Sequence, residues 1–166
     1  MTDVDAMVKV GMADMNVAEG GAVLKTTGLG SCVGLTLYDP GLKLAGMAHI
    51  MLPSSDIARE GQLNIAKYAD TAVPELVKRL KARGAALDRL VAKMAGGAQM
   101  FAFMSGTSDT MRIGPRNVEA TKLELDRLSI RLVAEDTGGN YGRTVELSSQ
   151  SGVFVIRSVQ FGVKEI

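Results

Sequence analysis

Residues 28–52 read GLGSCVGLTLYDPGLKLAGMAHIML. Within this stretch Val33, Leu35 and Leu37 alternate with Cys32, Gly34 and Thr36, the period of a strand with two distinct faces. Asp39, Pro40 and Gly41 supply turn chemistry, and residues 44–52 return as the partner strand. The spacing predicts an antiparallel hairpin. With an even-numbered loop centred on Pro40 and Gly41, Cys32 falls directly across from His49, where opposed Cβ atoms sit roughly 4.5–5.5 Å apart. A three-residue loop would shift the register by one and send the two side chains to opposite faces. On the even-loop reading the pair shares a face with Gly34, Thr36, Ala45 and Met47, small near Cys32 and leaving room for an acyl group. The other face, with Val33, Leu35, Leu37, Leu44, Ala48 and Ile50, is core material.

The pairing matters because the chain has one cysteine and one histidine. No intramolecular disulfide can form, and no tetrahedral zinc site can be built from Cys and His alone. No cofactor is expected. The length of 166 residues suits a single domain over 1–166 with a substantial core. A hydrophobic share of 46% and a charged share of 22% fit an ordinary globular protein. A formal net charge of +1 offers no electrostatic case for a nucleic-acid partner. No apolar run approaches the roughly 18 residues of a membrane span. Residues 1–10 carry Asp3 and Asp5 and lack a basic segment followed by a hydrophobic one, so no secretory signal is read and the expected location is the cytoplasm.

Outward from the hairpin, residues 7–10 and 22–26 read as strands. A helix follows, capped by Asp70, with Val73, Leu76, Val77 and Leu80 on one face and Gly84 just past its end. Pro74, taken as near the fourth helical position, costs no hydrogen bond there. Residues 88–95 form another strand, residues 115–128 a second helix begun by Pro115, and residues 130–134 a strand. Residues 136–142 read as a loop, and residues 143–147 and 153–158 as a late hairpin. Consecutive strands with two separated helices indicate an α+β fold with a mixed or antiparallel sheet. Residues 53–65 and 105–114 are long irregular stretches of the kind that serve as functional loops.

A thiol with an ordinary pKa near roughly 8.5 is mostly protonated at neutral pH, and an adjacent imidazole can take its proton. Cys32 is thus a candidate nucleophile and His49 its base. The preceding Gly28-Leu29-Gly30-Ser31 loop can turn sharply and present N–H groups of Gly30, Ser31 or Cys32 to an oxyanion. Thr26, Thr27 and Ser31 are the polar residues near enough in sequence to orient the imidazole, and spacing does not choose among them. The alternative is a small buried cysteine with a satisfied core histidine. Gly96-Gly97 follows a strand but lacks the lysine and serine of a phosphate loop. Glu135 and Asp136 fall far short of a calcium loop.

Six motifs occur in order along nearly the whole chain: Gly28-Leu29-Gly30-Ser31-Cys32-Val33-Gly34, Ala48-His49-Ile50-Met51-Leu52-Pro53, Lys67-Tyr68-Ala69-Asp70-Thr71-Ala72-Val73, Lys93-Met94-Ala95-Gly96-Gly97-Ala98, Ile113-Gly114-Pro115-Arg116-Asn117 and Ala134-Glu135-Asp136-Thr137-Gly138-Gly139. Together they resemble the CheD family. The resemblance implies deamidation of selected glutamines on bacterial chemoreceptors (methyl-accepting chemotaxis proteins), with Cys32 as nucleophile, His49 as general base and Thr26 as the third, orienting residue. It implies a β-sandwich core with two main helices outside, similar to the catalytic domain of deamidating bacterial toxins. It also implies binding to the phosphatase CheC, which presents a helix resembling the receptor substrate. Two other readings compete: a regulatory protein that acts mainly by docking, and a protease or acyltransferase using the same pair.

Overall fold

In the computed structural model, which describes residues 6–58, 63–99 and 112–166, side-chain alternation between two faces governs most of the chain. The strands are β1 (Met7–Lys9), β2 (Met15–Ala18), β3 (Val23–Leu29), β4 (Val33–Asp39), β5 (Leu44–Ile50), β6 (Val91–Gly96), β7 (Arg131–Thr137), β8 (Arg143–Ser148), β9 (Phe154–Ser158) and β10 (Gly162–Glu165). The helices are α1 (Ala69–Ala82) and α2 (Ile113–Arg127). The strands form two five-stranded sheets, in the orders β1-β3-β8-β9-β10 and β2-β5-β4-β6-β7. Each sheet is mixed: β1 runs parallel to β3 and β6 parallel to β7, and the other neighbours are antiparallel. The β6–α2–β7 segment provides the crossover that a parallel pair requires.

Every position of β4 and β5 is buried, as central strands covered on both faces demand. One face meets the helices. Val33, Leu35, Leu37, Leu44, Ala48 and Ile50 join Val73, Leu76, Val77 and Leu80 of α1 in one core. The other face meets the first sheet, where Cys32, Tyr38, Ala45 and Met47 pack with Leu24, Leu29, Val145, Leu147 and Phe154. The result is a sandwich with helices layered on its outer side. The α+β class and the division of the hairpin into two faces are therefore present.

The hairpin register differs from the expected one. Asp39 pairs with Leu44, so the loop is the four residues 40–43, and His49 lies across from Gly34 rather than Cys32. The Asp39 carboxylate accepts the N–H groups of Gly41 (2.9 Å) and Leu42 (3.3 Å), and Lys43 closes the turn with φ 52°. This moves the turn centre one residue later than the Pro40-Gly41 pair. The loop is still even-numbered, so Cys32 and His49 keep the same face.

Three smaller differences have local causes. Asp70 is inside α1 rather than its cap: Tyr68 holds the cap position, and the Asp70 carboxylate accepts the Ser55 N–H and hydroxyl, both at 2.9 Å. Pro74 is the sixth helical residue, so the Asp70 carbonyl loses its intrahelical donor. The expected strand from residue 88 begins at Val91, after a 3-10 turn over Leu87–Arg89, and β7 runs on to Thr137 into the expected loop. Gly84, at φ 103°, follows α1 as expected; its N–H reaches the Lys81 carbonyl and that of Ala85 the Leu80 carbonyl. Of the two long stretches read as functional loops, residues 59–62 and 105–111 lie outside the described residues.

Helix α1 comes close to the sheet at Gly46, where an added Cβ would stand 2.9 Å from Leu76 Cδ1 and 3.1 Å from Leu80 Cδ1. Gly46→Leu should therefore push α1 off β5 and lower the unfolding free energy by about 1–3 kcal/mol in a urea titration. An unchanged midpoint would contradict this packing.

Candidate active site

Strand β3 alternates Leu24 and Thr26 inward against the exposed Thr27, so one hydroxyl enters the space between the sheets. From the opposite sheet, β5 sends the His49 ring into the same space. Thr26 Oγ1 and His49 Nδ1 are 2.7 Å apart, and Thr26 is 1% and His49 0% exposed. Thr26 Oγ1 is also 2.7 Å from the Val10 carbonyl. A carbonyl only accepts, so the single hydroxyl proton goes to Val10. The hydroxyl oxygen must then accept from His49, which fixes the proton on Nδ1. Nε2 is left with its lone pair bare, and it is buried without a hydrogen-bond partner among the described residues. A buried acceptor without a protein partner is uncommon in folded proteins and points to strain, a bound water or chemistry.

Cys32 lies one residue before β4, on the inter-sheet face that His49 occupies, and is 7% exposed. Because Gly34 stands across from His49, Cys32 is the diagonal neighbour, which in a regular ladder corresponds to roughly 7–8 Å between Cα atoms. Its thiol makes no hydrogen bond to Nε2 in this state. Catalytic hydrogen bonds are often long in the free enzyme and tighten with substrate. Burial pushes the Cys32 thiol up from its ordinary pKa and the His49 imidazole down. Both shifts favour a neutral thiol beside a neutral imidazole over an ion pair. Beside Gly34 the face is closely packed: a Cβ there would meet Leu29 Cδ1 at 2.9 Å and Val145 Cγ2 at 3.4 Å. Leu29 and Val145 both belong to the first sheet.

The loop before Cys32 is tied down through its carbonyls. Gly30 accepts from the Ala98 N–H at 2.8 Å, Cys32 from the Gly97 N–H at 2.8 Å, and Ser31 from Asn117 Nδ2 at 2.9 Å. The Gly30 N–H donates to Gly28 at 3.1 Å. Among the described residues no acceptor takes the N–H of Ser31 or Cys32.

The Gly96-Gly97 pair, weak in sequence as a nucleotide signal, has a steric role here. Gly96 has φ 108°, and a Cβ on it would collide with the Cys32 carbonyl. Asn117 is a second residue whose role the sequence did not reveal; its one signal is an amide within the buried stripe of α2. The carboxylates of Glu135 and Asp136 are engaged by Lys122 at 3.0 Å and Arg143 at 3.2 Å. Among the described residues no group of three or more His, Cys, Asp or Glu side chains is placed to hold a metal ion.

A family profile described as CheD chemotactic sensory transduction matches residues 51–158. A probable chemoreceptor glutamine deamidase CheD of Lachnoclostridium phytofermentans is 55% identical over 160 residues, covering 96% of this chain and 98% of the relative. A chemoreceptor glutamine deamidase CheD of Halalkalibacterium halodurans is also 55% identical over 160 residues, with the same coverage. That of Bacillus subtilis is 48% identical over 160 residues, 96% of each chain. Matched along nearly its whole length by such relatives, the chain belongs to the CheD family.

Proposed function

We propose that this chain deamidates selected glutamine side chains of bacterial chemoreceptors in chemotaxis, through a thioester on Cys32. Family membership supports the reaction class. The observation that carries the mechanism is the orientation of His49, whose Nδ1–H is given to Thr26 and whose bare Nε2 shares a face with Cys32.

In this reading the glutamine carboxamide carbon approaches the Cys32 sulfur. As sulfur attacks, Nε2 takes the thiol proton, so the thiolate forms only in the encounter with substrate. The carbonyl oxygen becomes an oxyanion held by the N–H groups of Ser31 and Cys32 at the end of the Gly30-Ser31 loop. The His49 imidazolium returns the proton to nitrogen, ammonia departs, and a thioester remains. A water molecule, deprotonated by Nε2, attacks the thioester. The second tetrahedral species collapses to glutamate, and the departing sulfur recovers the proton. One water is consumed and one ammonia released for each glutamine converted. Each conversion adds a negative charge to a receptor helix, which alters how the helices pack.

Other parts of the reading rest on the family. We infer a likeness to the catalytic domain of deamidating bacterial toxins, an association with the phosphatase CheC, and a cytoplasmic location. No helix among the described residues is long and apolar enough to cross a membrane.

Three outcomes test the mechanism. Cys32→Ala should end ammonia release and the gain of about 1 Da per modified glutamine, measured by mass spectrometry on a receptor fragment; deamidation by this variant would refute the nucleophile, and backbone cleavage by the parent protein would indicate a protease. Thr26→Val should lower kcat roughly 10–100-fold, or about 1.4–2.7 kcal/mol of barrier, by freeing the ring to adopt the other tautomer, while Thr26→Ser keeps most activity. The pH dependence follows from the two burial effects. His49 works as a neutral base and its pKa lies below the ordinary 6.5, so kcat/KM should rise through an acid limb below pH 6.5. Since burial raises the Cys32 pKa, the thiol stays neutral over the same range and the profile should remain level between pH 7 and 9. A decline between pH 7 and 9 would show that an ion pair is the working form.

A further inference from the structure

Asn117 occupies an unusual position for a polar side chain in a helix. It is 0% exposed, and its Nδ2 reaches two main-chain carbonyls at 2.9 Å each: that of Ser31, just before Cys32, and that of Met51, two residues after His49. Both partners can only accept, so the amide must turn its NH₂ toward them. Its Oδ1 is then buried with no partner among the described residues. The fold leaves one polar atom unsatisfied and keeps both donors aimed at the two segments that carry the candidate nucleophile and base.

The consequence lies on the far side of the Ser31–Cys32 peptide. A trans peptide is planar, with the carbonyl of one residue and the N–H of the next pointing in opposite directions, and no cis bond occurs among the described residues. Helix α2 packs on the helix-bearing face of the second sheet. A Ser31 carbonyl held toward α2 therefore turns the Cys32 N–H away from the helices, to the inter-sheet side on which Cys32 and His49 lie. The carbonyls of Gly30 and Cys32 are held by the backbone N–H groups of Ala98 and Gly97. Only the peptide between them is held by a side chain, so its orientation depends on one residue.

We infer that Asn117 is a positioning residue for the oxyanion site: it fixes the Ser31–Cys32 peptide so that the Cys32 N–H faces the developing negative charge. This rests on the deamidase reading for its biological substrate, but the geometry acts on any acyl group carried by Cys32. The expected signature is a split between two reactions of the same sulfur. Acylation passes through an oxyanion; alkylation by iodoacetamide is a displacement and does not.

The test follows the single cysteine by mass spectrometry in the full chain and in Asn117→Ala and Asn117→Asp. Acylation by p-nitrophenyl acetate should fall at least about tenfold, and receptor deamidation about 10–100-fold in kcat with little change in KM, while alkylation stays within about twofold. Loss of acylation and alkylation together in a folded variant, or of neither, would overturn the inference. Should the variants fail to fold, exchange of the Asn117 side-chain amide protons in the parent protein decides: slow exchange of both protons supports the clamp, and rapid exchange overturns it. A parent protein that acylates Cys32 but leaves receptor glutamines intact would remove the deamidase reading and leave the positioning role standing.

Discussion

One hydrogen bond joins the two halves of this molecule at the point where its chemistry is proposed. Thr26 belongs to a strand of the first sheet and His49 to a strand of the second, and their 2.7 Å contact crosses the space between them. The carbonyl of Val10 makes the contact directional, because it claims the only proton on the hydroxyl. Three groups, on β3, on β5 and at the residue after β1, thus decide which ring nitrogen is protonated. An imidazole in a less constrained setting would exchange tautomers, and its useful lone pair would face the wrong way part of the time.

This arrangement carries a cost. The bare Nε2 is a buried acceptor without a partner among the described residues, and such an atom typically costs about 1–3 kcal/mol. The Oδ1 of Asn117 is a second one nearby in function. Both sit in a sandwich whose two central strands β4 and β5 are buried at every position. The same burial keeps the Cys32 thiol and the His49 ring neutral at rest. A neutral thiol is protected from adventitious reaction, and in the proposed mechanism the proton transfer is left to the moment when a substrate carbonyl arrives. The backbone after β6 and the Asn117 side chain hold the loop before Cys32 through its carbonyls, which leaves the Ser31 and Cys32 N–H groups without acceptors among the described residues.

Much of this was legible in the sequence, and the exceptions have physical reasons. The two faces of the β4–β5 hairpin followed from strict alternation, and parity alone placed Cys32 and His49 on one of them. The register could not be read, because the turn centre is set by the Asp39 carboxylate gripping Gly41 and Leu42 and by Lys43 in a left-handed conformation. Helix α1 was visible from its apolar stripe, whereas β10 was not: all four of its residues are exposed, so no pattern of burial marks it. Strand β2 is too short to show a period. Sequence proximity left Thr26, Thr27 and Ser31 undivided, although the alternation begun at Leu24 already pointed to Thr26. The partners of Asn117 lie 86 and 66 residues away, beyond any local signal.

The tautomer of His49 is the claim on which the mechanism turns, and the chain has no other histidine to confuse its signal. A ¹⁵N spectrum of the imidazole in the folded protein at neutral pH measures it directly. The expected spectrum is that of a neutral ring with a protonated Nδ1 and an unprotonated Nε2. A proton on Nε2, or a ring carrying both protons, would contradict it.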